Sequence, residues 1–118
     1  MDHDHFRDLL MRTREELVSS LEPIRVRLRE PQRDSSGEIA LADQHPADAA
    51  SDTEMRELDL ATEVLFESRV GQVDDALRRL DDGTYGICAA CGKPIPAERL
   101  ELVPETPYCV EDAAKQRV

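Results

Sequence analysis

All three cysteines of this 118-residue chain lie in its last third, and their spacing is typical of a metal site. Cys88 and Cys91 form a C-x-x-C pair, and Cys109 follows after 17 intervening residues. Asp112 stands where a second C-x-x-C pair would place its last cysteine. Because each C-x-x-C turn directs two sulfur atoms at one point, the pattern predicts one bound zinc ion.

The sequence leaves the fourth ligand of this ion open. A carboxylate oxygen binds zinc at about 2.0–2.2 Å, so Asp112 is suitable, but Glu111 or a water molecule could take the position instead. Alternatively, Asp112 only stabilises the N-terminus of a last helix and the cysteines are small buried residues. An enzyme is not expected: zinc deaminases require an H-x-E motif, which the sequence lacks, and C-x-x-C redox enzymes require a βαβ setting.

The composition limits the fold and the class of partner. Aromatic residues make up 3% of the chain and charged residues 35%, which suits long helices and not a large globular core. The 26 acidic residues exceed the 15 basic ones, giving a net charge of −11. Binding to nucleic acid depends on neutralising phosphates, so this excess argues against direct DNA binding. The expected partner is a protein that offers a basic groove or holds a metal ion.

Cysteine usage and hydropathy indicate the compartment. An odd number of cysteines favours a reducing environment in which thiols bind metal. No apolar run reaches the roughly 20 residues of a membrane span, and the N-terminus lacks the basic-then-apolar order of a signal peptide. We therefore expect a cytoplasmic protein without a membrane anchor.

Two long helices are expected to position the cysteine-rich segment. Over residues 3–30, apolar residues recur at threes and fours: Phe6, Leu10, Leu17, Leu21, Ile24 and Leu28. Pro23 falls within this pattern and predicts a kink or a break near residues 21–23. The second helix is expected to begin at Ser51, which forms a capping box with Glu54, and to end at Gly83.

The apolar pattern of the second helix predicts the face that packs on the first. Its apolar residues form two consecutive series, and the second has heptad spacing. The change of spacing between the two series predicts a stutter near residues 62–66. The first series is Met55, Leu58, Ala61 and Leu65; the second is Phe66, Val70, Val73, Leu77 and Leu80.

The predicted fold is therefore mostly α. A long antiparallel helical hairpin, or coiled coil, covers residues 1–82 and has a tip loop at about 31–50. Residues 83–118 form a small zinc-finger head with short extended pieces, followed by a short terminal helix. A head with so little apolar core requires a structural metal ion.

The order of these parts, with the segment YGICAACGKPIPAERLELVPETPYC, resembles the DksA/TraR family of bacterial transcription regulators over roughly residues 40–115. The motif DQHPAD at 43–48 is similar to the D-N-H-P-A-D tip of one branch. The resemblance implies a non-enzymatic regulator, associated with the stringent response, that binds RNA polymerase and not promoter DNA. The hairpin would enter the secondary channel of the polymerase and bring its acidic tip near the active-site Mg²⁺. The implied tip contacts are Asp43, His45, Asp48, Ala50 and Asp52.

Other interpretations remain beside this one. Turn chemistry alone explains the tip residues, and the chain could be a zinc- or thiol-responsive sensor or a structural coiled-coil adaptor. The family tip is often D-x-x-D-x-A, in which His45 replaces the first Asp. In the family, basic residues contact guanosine tetraphosphate, and an ungapped match puts only one positive charge at the four corresponding positions of this chain. The sequence therefore does not predict a response to that nucleotide. Those positions are Leu65, Arg69, Gln72 and Ala113. We expect a monomer.

Overall fold

Two long helices dominate the computed structural model, which describes residues 2–30 and 46–116. Helix α1 spans His3–Arg29 and helix α2 spans Pro46–Asp82, and the short helices α3, Ala97–Leu102, and α4, Val110–Lys115, follow. Within the two described ranges there is no β-strand, only an isolated antiparallel bridge between Ile87 and Pro94. The prediction of a mostly α fold is confirmed.

Helices α1 and α2 pack as an antiparallel pair, as predicted. Ion pairs between them run in opposite order along the two helices: Arg7 with Asp81 at 2.9 Å, Arg14 with Asp74 at 2.8 Å and Arg27 with Asp59 at 2.9 Å. The molecule is elongated, with principal dimensions of 62 × 29 × 19 Å. Among the described helices, none is apolar over enough of its length to cross a membrane.

Helix α1 runs through Pro23 without a break, where the sequence predicted a kink or a break. Its N-terminus is capped by the Asp2 carboxylate, which accepts a hydrogen bond from the His5 backbone N–H at 3.1 Å. Proline removes the hydrogen bond to the carbonyl four residues earlier. Both Pro23 and Ser19, whose carbonyl loses that bond, are exposed. Water can satisfy this carbonyl, so the helix continues.

Helix α2 begins at Pro46, five residues before the predicted start. Residues 46–50, which were expected in the tip loop, are therefore helical, and Ser51 lies inside the helix. Proline is favoured at the first helical position because its missing N–H would have no partner there. Residues 31–45, the rest of the predicted loop, lie outside the described residues.

The half of the hairpin nearest the head is held by apolar packing, as the heptad pattern predicted. Residues from both helices form one buried cluster: Phe6, Leu10 and Leu17 from α1, with Val73, Ala76 and Leu80 from α2. Phe66, Val70 and Leu77 are partly buried and pack against it. Burying a large aliphatic side chain stabilises a fold by about 1.5–3 kcal/mol, so this cluster is a main source of the hairpin's stability.

The half nearest the tip contradicts the predicted seam. Met55, Leu58 and Leu65 are exposed by 55%, 59% and 57%, and Ala61 is exposed as well. We call these four residues the outer stripe. The positions that face α1 continue the spacing of threes and fours backwards from Phe66, through Glu63, Asp59 and Arg56. There is no stutter; the seam is regular but becomes polar.

On the α2 side of this part of the seam charged side chains replace apolar ones, whereas on the α1 side Leu21 and Ile24 are buried as the sequence predicted. Arg27 donates from Nε and Nη2 to the two carboxylate oxygens of Asp59, both at 2.9 Å. Arg25 lies 2.9 Å from Glu67 and 3.7 Å from Glu63. The hydrogen bonds from Arg27 lower the pKa of the Asp59 carboxyl, and Asp59 is buried although Arg27 is half exposed.

The Asp59→Asn substitution should lower the free energy of unfolding near neutral pH, because it removes the charge that binds Arg27. The folded-state pKa of Asp59 lies below its unfolded value of about 3.9. Its contribution is therefore present above that pH and is lost as the pH falls through the folded value. Urea unfolding followed by circular dichroism should show a difference from the wild type that shrinks below about pH 4.

The matched control for this prediction is Asp75→Asn. Asp75 makes the same chemical type of pair, with Arg78 on its own helix, but both side chains are exposed. Exposed pairs contribute little because water screens them. Equal destabilisation by the two substitutions would contradict a special role for Asp59 in the seam.

Candidate metal centre

The cysteine-rich head is attached to the base of the hairpin by apolar contacts. Helix α2 ends at Asp82, and Gly83 follows with φ +80°, a conformation that favours glycine. Tyr85 is buried, and the centroid of its ring lies 5.7 Å from that of Phe6 in α1. Its hydroxyl donates a hydrogen bond to the Pro104 carbonyl at 2.8 Å. The head is thus continuous with the core of the hairpin.

A tight turn presents the first two cysteines. The Cys88 N–H donates to the Lys93 carbonyl at 2.9 Å, and the Ile95 N–H donates to the Gly86 carbonyl at 2.7 Å. Gly92 closes the turn with φ +75°, and its N–H donates to the Cys88 carbonyl at 2.9 Å. These bonds fix the backbone on both sides of the C-x-x-C pair.

The start of helix α4 presents the other two residues. Cys109 is the N-cap of α4, and Asp112 lies in its first turn, so the two side chains share one side of the helix. The segment before Cys109 is held by Arg99, which donates to the Tyr108 carbonyl at 3.0 Å. The Ala89 N–H donates to the Pro107 carbonyl at 2.8 Å and joins this segment to the first turn.

The structure brings Cys88, Cys91, Cys109 and Asp112 together, with their ligand atoms all within 4.8 Å of one another. The Asp112 Oδ2 atom lies 3.1 Å from the Cys88 sulfur and 3.2 Å from the Cys109 sulfur. The Cys91 and Cys109 sulfurs are 4.0 Å apart. Tetrahedral zinc with bonds of about 2.3 Å would place its sulfurs about 3.8 Å apart, so this arrangement fits one zinc ion.

The electrostatics of the cluster also suit a cation. Hydrogen bonds from the Cys88, Cys91 and Cys109 thiols lower the pKa of the Asp112 carboxyl to about 2, so this group is ionised at neutral pH. The second carboxylate oxygen of Asp112 lies 3.8 Å from the Lys115 ammonium, which leaves Oδ2 directed at the sulfurs. A bound metal ion deprotonates coordinating thiols.

The remaining predicted site residues lie elsewhere. Glu111 is exposed and does not belong to the cluster. Asp43 and His45 lie outside the described residues, whereas Asp48 and Ala50 lie in the first turns of α2. Asp52 is exposed on the same helix, and the 30 residues from there to Asp82 correspond to about 45 Å. Asp52 therefore lies far from the metal cluster along the hairpin.

Sequence reasoning missed a buried charge between the hairpin and the head. Glu105 is only 1% exposed, and its Oε1 lies 3.5 Å from Nη2 of Arg69 on α2. Its Oε2 and the Nη2 of Arg79 are both buried without a hydrogen-bond partner among the described residues. Burial lowers the pKa of Arg79. A glutamate in a loop between two prolines gave no periodic signal from which its burial could be predicted.

The structure defines a class of protein: a small zinc-finger protein in which a long antiparallel helical hairpin carries a cluster of three cysteines and one carboxylate at its base. Residues 83–115 match the family model described as prokaryotic dksA/traR C4-type zinc finger. The chain is 33% identical over 108 residues to the RNA polymerase-binding transcription factor DksA of Caulobacter vibrioides, covering 92% of this chain and 70% of that protein. The chain therefore belongs to the DksA/TraR family.

Two further comparisons agree with this assignment. The solved structure of transcription factor DksA2 from Pseudomonas aeruginosa superimposes with a TM-score of 0.73 at 35% identity, covering 97% of this chain and 81% of that chain. YteA of Bacillus subtilis is 36% identical over 85 residues, which span 72% of this chain but only 36% of YteA. The match to DksA2 confirms the predicted family and fold.

Asp112→Asn should weaken zinc retention, because the amide keeps the shape of the side chain but removes the negative charge that attracts the zinc ion. We expect about one zinc per chain in the wild type and faster release to a colorimetric chelator in the variant. Glu111→Gln is the matched control, since Glu111 is the neighbouring carboxylate outside the cluster. Faster release from Glu111→Gln than from Asp112→Asn would identify Glu111 as the ligand.

Proposed function

We propose that this protein is a transcription regulator that binds RNA polymerase. The observation that carries the proposal is the match to DksA and DksA2 over both the hairpin and the head, covering 92% and 97% of this chain. Both relatives are named as transcription factors, and DksA is named as RNA polymerase-binding. A net charge of −11 also suits a protein partner with a basic surface and not DNA. Such a partner would place the protein in the cytoplasm.

The hairpin would act by entering the secondary channel of the polymerase. The elongated shape of the molecule, 62 × 29 × 19 Å, supports this proposal, because a protein of this shape can extend one end to a site deep inside its partner. The contacts at the active site would come from Asp43, His45, Asp48, Ala50 and Asp52. Acidic side chains there can interact with the catalytic Mg²⁺ or with the basic groups around it.

The zinc ion would have a structural role in this function. We propose that Cys88, Cys91, Cys109 and Asp112 hold it, because their ligand atoms converge and the head has little apolar core of its own. A metal ion at this place joins the first cysteine turn to helix α4. It thereby stabilises the base from which the hairpin extends.

The proposal includes no binding of guanosine tetraphosphate. Of the four positions matched to the family's nucleotide contacts, only Arg69 carries a positive charge. Its guanidinium lies 3.5 Å from the buried Glu105 carboxylate, so this charge already has a partner. Leu65, at another of these positions, is apolar and exposed.

A thiol-responsive regulator is the second candidate, and one observation favours it. Cys91 is exposed, and its sulfur lies 4.0 Å from that of Cys109. Loss of zinc would leave these two thiols close enough for a peroxide to convert them to a disulfide, reducing the peroxide to water or an alcohol. Tight zinc binding, with thiols that resist mild peroxide, would exclude this candidate. Zinc release at low peroxide would support it.

The proposed partner can be tested by capture with purified bacterial RNA polymerase core enzyme. Binding should occur at micromolar concentration and should be abolished by a competitor that occupies the secondary channel. Binding that persists with the competitor would place the protein elsewhere on the polymerase. No binding at all would contradict the proposed function while leaving the fold unaffected.

The role of the tip is tested by the double substitution Asp43→Asn and Asp48→Asn. The variant should still bind the polymerase, because the rest of the hairpin is unchanged, but it should lose its effect on transcription in vitro. Asp82→Asn, which makes the same chemical change at the opposite end of α2, is the matched control. A double variant as active as the wild type would favour the structural adaptor over the regulator.

A further inference from the structure

The half of α2 nearest the tip exposes an unusual amount of apolar surface. Met55, Leu58 and Leu65 of the outer stripe are each more than half exposed, and Ala61 lies among them. Leu60 and Val64 on the adjoining side of the helix are exposed by 47% and 68%. Single exposed apolar residues are common, but a continuous group of them marks a surface that binds another protein.

The outer stripe is not needed to hold the hairpin together. In this half, the positions facing α1 are filled by Arg56, Asp59 and Glu63, which bond to residues of α1. The apolar side chains therefore point away from the contact they would ordinarily form.

The charges around the outer stripe indicate what kind of partner fits. Glu54 and Glu57 are exposed next to it and form no ion pair within the described part of the chain. Arg56, the nearest basic residue, is engaged with the Leu28 carbonyl at 3.1 Å. The surface is thus apolar with an acidic rim, and its complement is an apolar groove with a basic rim.

We propose that the outer stripe docks into an apolar groove lined at its edge by lysine or arginine on the surface of RNA polymerase. This inference rests on the proposed function and extends it, because it assigns the affinity to the side of α2 and not to the tip. A second copy of this chain is a poor occupant. Two stripes facing each other would bring their acidic rims together, and each chain already carries a net charge of −11.

The test compares two triple variants for binding to polymerase core enzyme. Met55→Ser, Leu58→Ser and Leu65→Ser together should weaken binding by about tenfold or more, since truncating apolar anchors removes most of the affinity of an interface. The matched control is Met11→Ser, Val18→Ser and Leu102→Ser, which removes three exposed apolar side chains elsewhere. The control should bind like the wild type.

The acidic rim provides a second readout. Glu54→Lys with Glu57→Lys should slow association and reduce its dependence on salt, because the charges that steer the complex are reversed. The same charge reversal at Glu15 and Glu16, which are exposed on α1, is the control. Equal effects from both pairs would show that only the net charge matters, and would overturn the assignment of the rim.

Each remaining outcome is decisive. If the wild type binds and the outer-stripe variant binds equally well, the inference fails and the proposed function stands. If the wild type does not bind, both fail. A wild-type dimer that the outer-stripe variant dissociates would show a second copy to be the occupant. A lower unfolding midpoint for that variant than for the control would show that the stripe packs against its own chain.

Discussion

Packing along one seam between α1 and α2 holds the molecule in its extended shape. With aromatic residues at 3% of the chain, little apolar material is available for a globular core, and most of it lies along this line. Phe6, Leu10 and Leu17 meet Val73 and Leu80 near the head, where each buried side chain contributes about 1.5–3 kcal/mol. The head packs on the same cluster, so the hairpin and the head share one buried core.

The position of the head follows from this arrangement. Tyr85 continues the apolar cluster beyond the end of α2, and burial raises the pKa of its hydroxyl to about 12. Glu105 adds a buried charge that is only partly compensated by Arg69, at 3.5 Å. A buried carboxylate with so few partners costs free energy, which the apolar contacts between the head and the hairpin help to offset.

The sequence predicted the parts of the molecule that depend on spacing. The cysteine pattern indicated that three cysteine side chains would converge, with Asp112 as one candidate for the fourth position, because the spacing of a C-x-x-C turn and of the first turn of a helix fixes where the side chains point. The seam was predicted correctly where it is apolar. It was wrong from Met55 to Leu65, because hydrophobic periodicity cannot distinguish a stripe that packs on the neighbouring helix from one left exposed. Continuing the heptad back from Phe66 would have found Glu63 and Asp59.

In the half of the hairpin nearest the tip, the charged residues on the α2 side of the seam affect both stability and alignment. Ion pairs open to water contribute less stability than buried leucine, so the tip half of the hairpin should open more readily than the base. The two hydrogen bonds from Arg27 to Asp59 nevertheless have a strict geometry, and only one alignment of the helices satisfies them. The seam can therefore keep its register while Leu58 and Leu65 of α2 remain outside it.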